Sequence, residues 1–78
     1  MEKVKEIISS ITGLEAHEIS MNDNIEFDLG FDSLDAIECI MELEKEFNIR
    51  IHDDIAEKCI TVNDIHKMLD SYGVKLID

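Results

Sequence analysis

Three histidines, two cysteines and a serine set among aspartates are the residues with chemistry to offer in this 78-residue chain. His17, His52 and His66 have no sequence neighbour that would make a nucleophile–base pair, and no strained strand-to-helix turn surrounds any serine. A domain this small has little room for a preformed pocket with an oriented third group, so no catalytic residue is assigned and an enzyme is not expected. A calcium loop of the EF-hand type fails: with Gly30 at the required glycine position, Ile25 falls where the first oxygen ligand belongs. Cys39 and Cys59 lack zinc-finger spacing and a second half-site. No metal site is assigned, and Asp28, Asp32 and Asp35 offer a divalent cation only loose charge relief.

Ser33 stands apart from these. It follows Asp32, a good helix N-cap, with Asp35 three residues further on as the reciprocal acid of a capping box. Backbone N–H groups and the positive end of the helix dipole converge at that point, so a phosphate carried on Ser33 would be stabilised there. Serine is also common near helix N-termini simply because its hydroxyl satisfies orphan donors, so position alone does not decide between the two readings.

The elements that must hold Ser33 follow from the apolar periodicity. Val4, Ile7, Ile8 and Ile11 have helical spacing, and Gly13 suits the left-handed residue after the helix, so a first helix is expected over residues 2–12. Residues 14–31 have no sustained period. They form a long loop pinned by Leu14, Ile19, Ile25, Phe27, Leu29 and Phe31. The second helix starts after Asp32, with Ala36, Ile37, Ile40, Leu43 and Phe47 as its core stripe, Leu34 and Met41 along a margin, and Asp35, Glu38, Glu42, Lys45 and Glu46 opposite. Ile49–His52 reads as an extended connector. Asp53 and Asp54 open a brief helix through about Lys58. Thr61 with Asp64 caps a last helix, whose Val62, Ile65, Leu69 and Tyr72 face inward and which Gly73 ends. The expected fold is all-α, a small four-helix bundle with one short helix and a long first loop, in a single domain over residues 1–78.

Charge narrows the partners. The chain carries 19 acids against 7 lysines and arginines, a formal charge of −12. Residues 23–57 hold twelve acids and two bases and so account for −10 of it. Nucleic acid is excluded as a direct partner, because phosphates repel such a surface and no counterions are released on contact. The same field attracts basic protein surfaces, or serves only to keep a helix face solvated. Since 45% of the residues are hydrophobic and fall at helical spacing, a folded chain is expected rather than a disordered one. No apolar run spans a bilayer, the Met1–Glu6 start is too charged for a secretory signal, and two cysteines make no disulfide framework, so a cytoplasmic monomer with reduced thiols is expected.

Asp28-Leu29-Gly30-Phe31-Asp32-Ser33-Leu34-Asp35 closely resembles the attachment motif of the phosphopantetheine-dependent acyl carrier family. Asp32-Ser33-Leu34 matches the central tripeptide. The likeness continues through Ile11–Gly13–Leu14, Glu42–Phe47, Ile49–Ile51, Ala56-Glu57-Lys58 and Thr61-Val62. It implies a four-helix carrier without catalysis of its own. A phosphopantetheinyl transferase would move 4′-phosphopantetheine from coenzyme A to Ser33, and the arm's thiol would carry acyl groups as thioesters in fatty-acid or related acyl-chain synthesis. Polyketide, aminoacyl or D-alanyl cargo, or an unmodified acidic docking module, are the alternatives. Implied partners are acyltransferases, ketoacyl synthases and related synthesis enzymes. The implied docking residues are Leu34, Asp35, Glu38, Met41, Glu42 and Glu44, and the implied acyl pocket is Ile25, Phe27, Ala36, Ile40, Leu43, Ile51, Ala56, Cys59 and Ile65. Four residues depart from the pattern: Phe31 replaces a small residue, Lys45 an acid, His52 a proline and Cys59 an aliphatic.

Overall fold

The computed structural model describes residues 2–74; residue 1 and residues 75–78 of the chain lie outside the described part. Among the described residues there are four α-helices and no strand: α1 (Glu2–Thr12), α2 (Ser33–Phe47), α3 (Asp53–Ala56) and α4 (Val62–Ser71). A 3₁₀ turn at Ala16–Glu18, which the sequence pattern does not announce, interrupts the first loop. The fold is the small helical bundle expected, with α1 packed on α2.

α1 keeps its expected bounds because Val4, Ile7 and Ile8 are buried on one face, and Gly13 ends it at φ +81, where a residue lacking Cβ escapes the left-handed penalty. The long loop holds its course through hydrogen bonds to the start of α4. The Ile25 N–H donates to the Ile60 carbonyl at 2.9 Å, that of Val62 to Asp23 at 3.2 Å, and that of Asn63 to Met21 at 2.9 Å. Ile19, Leu29 and Phe31 are buried anchors as expected. Phe27 is not, and corrects the expectation: it is 82% exposed. Residues 24–28 make a single helical turn, closed by the Asp28 N–H on the Asn24 carbonyl at 2.8 Å. That turn carries Ile25 and Leu29 inward, one helical turn apart, and leaves Phe27 on its outer side.

α2 carries the expected capping box, and Asn48 ends it in the left-handed region at φ 53. Its buried stripe is rotated from the expected one. Cys39 and Leu43, four residues apart, face the core, while Ala36 and Ile37 are exposed. The cause is a second apolar face on the same helix, made by Ala36, Ile37, Ile40 and Met41, which lines a groove. α3 is shorter than expected, ending at Ala56 rather than near Lys58. The connector before it is fixed at both ends: at its start the Ile49 N–H donates to the Glu44 carbonyl at 3.1 Å, and at its end the Ile51 N–H donates to the Glu44 carboxylate at 2.8 Å and the His52 N–H to the Tyr72 hydroxyl at 3.2 Å.

α4 buries Val62, Ile65, His66, Met68 and Leu69. At its start the Asp64 carboxylate accepts from the N–H groups of Ile60 at 2.9 Å and Thr61 at 3.0 Å. These bonds hold the Asp64 carboxyl below its ordinary value of 3.8, the Ile60 bond contributing most. A lowered folded-state value stabilises the fold above 3.8 and is lost as pH falls through the folded value. The melting temperatures of wild type and Asp64→Asn therefore differ most at about pH 6 and converge in acid below 3.8. A gap constant over that range would show that the charge on Asp64 does not stabilise the fold.

Candidate functional site

Asp32 sits just outside α2 in extended backbone, its carboxylate accepting from the Asp35 N–H at 2.8 Å, and the Asp35 carboxylate returns a bond to the Asp32 N–H at 3.2 Å. The reciprocal pair fixes the direction in which the chain enters the helix, and so where the first helical residue points. That residue is Ser33, and it is exposed. Upstream, Gly30 turns the chain at φ +75 and the Phe31 N–H donates to the Ile25 carbonyl at 3.1 Å. A β-carbon at Gly30 would meet nothing, so glycine is required there by its backbone conformation rather than by crowding.

Beside this helix start runs a groove of about 460 Å³, with walls from α2, the connector, α3 and α4. Seven of the nine residues expected to line an acyl pocket meet on it: Ile25, Ala36, Ile40, Ile51, Ala56, Cys59 and Ile65. Phe27 does not reach it, because it points outward, and Leu43 does not, because it is sealed in the core at 0% exposure. The groove also takes Phe31, Ile37, Cys39, Met41 and Glu44, which the sequence reading left out of it. Ala36, Ile37, Ile40, Met41 and Glu44 recur at helical spacing, so a second α2 face distinct from the Cys39–Leu43 stripe was present in the sequence as a pattern. Burial pushes the Cys39 thiol up to about 12, helped by the Cys59 thiol nearby, and burial followed by the Asp64 charge raises Cys59. Both cysteines are unbridged and stay protonated near neutral pH, so they serve the groove as small apolar surface.

The residues expected to meet partners fall into two groups. Leu34 and Met41 are 72% and 59% exposed, Ile37 lies between them at 56%, and Glu38 and Glu42 are exposed beside them. Glu42 also pairs loosely with Lys45 at 3.7 Å. Asp35 and Glu44 are half-buried and already engaged, one in the cap and one on the connector. An exposed apolar row flanked by carboxylates can meet a basic protein surface with an apolar centre. Individual exposed ion pairs of this kind contribute about 0–1 kcal/mol each, so such a contact forms and releases readily.

Residues 2–69 match the family described as the phosphopantetheine attachment site. The chain belongs to the phosphopantetheine-binding acyl carrier family. Among its relatives, an acyl carrier protein of Karelsulcia muelleri is 47% identical over 72 residues, 92% of this chain and 87% of that one. Another, from Clostridium acetobutylicum, is 50% identical over 64 residues, 82% of this chain and 83% of that one. A solved Mycobacterium tuberculosis structure, assigned as an acyl carrier protein, superposes with a TM-score of 0.85 at 34% identity, covering 91% of this chain and 95% of that one. Like the family, the chain is a carrier rather than a catalyst, its cofactor is phosphopantetheine, and its partners are synthesis enzymes and a phosphopantetheinyl transferase. Among the described residues, no helix is long and apolar enough to cross a membrane.

Proposed function

We propose that Ser33 is the attachment residue and that the arm it bears carries acyl groups as thioesters in fatty-acid or related acyl-chain synthesis. The observation that carries this reading is the exposure of Ser33 as the first residue of a rigidly capped helix beside an apolar groove. The serine oxygen attacks the coenzyme A phosphorus that bears the pantetheine, a new P–O bond forms, and adenosine 3′,5′-bisphosphate leaves with the electrons of the broken P–O bond. The hydroxyl proton passes to the transferase, which also brings the magnesium, so Ser33 needs no activating histidine of its own. Once in place, the phosphodiester lies near the N–H groups and positive dipole of α2, which offset part of its repulsion by Asp28, Asp32 and Asp35.

On this reading the groove shelters the acyl chain. The exposed α2 face docks acyltransferases and ketoacyl synthases, and the protein acts as a single-domain monomer in the cytoplasm. Incubation with coenzyme A, Mg²⁺ and a phosphopantetheinyl transferase is expected to add one phosphopantetheine to the intact mass of the wild type and none to Ser33→Ala. Addition that persists in the variant would move the site elsewhere, and no addition to the wild type would end the carrier reading.

A further inference from the structure

Phe27 is the most exposed of the large hydrophobic side chains in the described structure, at 82%, and nothing in the proposed carrier cycle uses it. Single apolar residues on a surface ordinarily need no explanation. This one is held out on a turn whose backbone is unusually well fixed. The Asn24 side-chain carbonyl accepts from Glu26 N–H at 3.0 Å and Phe27 N–H at 2.8 Å, and the Asp28 carboxylate accepts from Asn24 N–H at 2.7 Å. The turn is therefore organised before any partner arrives, which removes most of the ordering entropy from a contact made there. Two acids, Glu26 and Asp28, flank Phe27 in the sequence, and both are exposed.

Its place on the molecule narrows the partner. The segment from Phe27 to Ser33 is six residues, at most about 20 Å fully extended, and it is folded back by the Phe31–Ile25 hydrogen bond. Ile60, 58% exposed, emerges from the segment that pairs with this loop through the Ile25 N–H, and Leu34, 72% exposed, lies on the far side of Ser33. Exposed apolar side chains thus stand six residues before the serine, at Phe27, and directly after it, at Leu34. An enzyme that acts on the thiol at the end of a long arm can dock well away from Ser33. An enzyme that acts on the Ser33 hydroxyl itself cannot. Its footprint, of the order of 800 Å² for a standard interface, is centred on that residue and, on a molecule of 27 × 27 × 20 Å, reaches the neighbouring loop.

We propose that Phe27 is an anchor for the enzyme that modifies Ser33, its ring entering an apolar slot whose rim carries lysine or arginine opposite Glu26 and Asp28. The inference rests on Ser33 as the attachment residue. Large aromatic side chains that enter a partner's pocket contribute disproportionately to binding, and acids around them speed encounter with a basic rim.

The test is steady-state modification of the full chain by a phosphopantetheinyl transferase with coenzyme A and Mg²⁺, comparing wild type, Phe27→Ala and Phe27→Leu, with thermal melts alongside. KM for the carrier is expected to rise about tenfold in Phe27→Ala and to recover most of that in Phe27→Leu. The turnover number should stay within about twofold, and the melting temperature should not move, because the ring is outside the core. An unchanged KM in Phe27→Ala overturns the proposal while leaving Ser33 as the site. A raised KM that comes with a lowered melting temperature assigns the ring to folding and overturns it too. A wild type that takes up no arm removes both readings together.

Discussion

Replacing Leu43 by alanine is expected to lower the free energy of unfolding by about 3–4 kcal/mol. Leu43 is 0% exposed, is among the largest fully buried side chains, and sits near the middle of the longest helix. α2 is pinned at both ends, by the Asp32–Asp35 box and by the left-handed Asn48, so it is poorly placed to sink into the vacated volume. A chain of 78 residues has a total stability on the order of 4–12 kcal/mol, so this one change removes a large part of it. The melting temperature should fall by roughly 12–32 °C. In urea the midpoint should drop at constant slope, which marks lost stability rather than a changed denatured state. Ile37→Ala provides the contrast: its side chain is 56% exposed and faces the groove, so it should cost well under half as much. If the two variants melted together, α2 would not be divided into a core face and a groove face.

That division marks the boundary of what the sequence made legible. The capping boxes at Asp32 and Thr61 and the stripe of α1 were readable because each is local, set by residues three or four apart. Ser33 stood out for the same reason. The rotation of α2 was not readable. The helix advances about 100° per residue and so carries two apolar faces side by side, and a count of hydrophobic positions cannot say which one a neighbouring helix covers. Cysteine at position 39 carries little weight in such a count, yet it is 2% exposed. Phe27 failed for a different reason. Its placement depends on the Asn24 side chain closing a turn of just five residues, too short for helical spacing to show as a period in the sequence. The long loop was legible as ordered from its anchors, but its course over the start of α4 depends on non-local backbone bonds such as Ile25 to Ile60, which leave no trace in local sequence.

Loading the arm with an eight-carbon acyl group is expected to raise the melting temperature by roughly 5–15 °C over the same protein carrying an acetyl group. The groove holds about 460 Å³ and has apolar walls, with its three carboxylates, Glu44, Asp53 and Glu57, on residues that are half-buried or exposed. Each methylene moved out of water contributes at most about 0.8 kcal/mol, and ordering the chain takes back part of it. Because the arm would be covalently attached, the chain meets the groove as an intramolecular partner and loses little further translational freedom. A two-carbon group is too short to profit. Stability should therefore climb with chain length and then level off once the groove is filled, which melts of an acetyl-to-dodecanoyl series read directly. A flat series would place the chain outside the protein. The state of the groove floor matters to this expectation, since a charge there would oppose every methylene. With the Cys39 thiol pushed up to about 12 and Cys59 raised as well, neither thiol adds a charge to the groove near pH 7, and neither gives the climb a pH dependence between about pH 6 and pH 8.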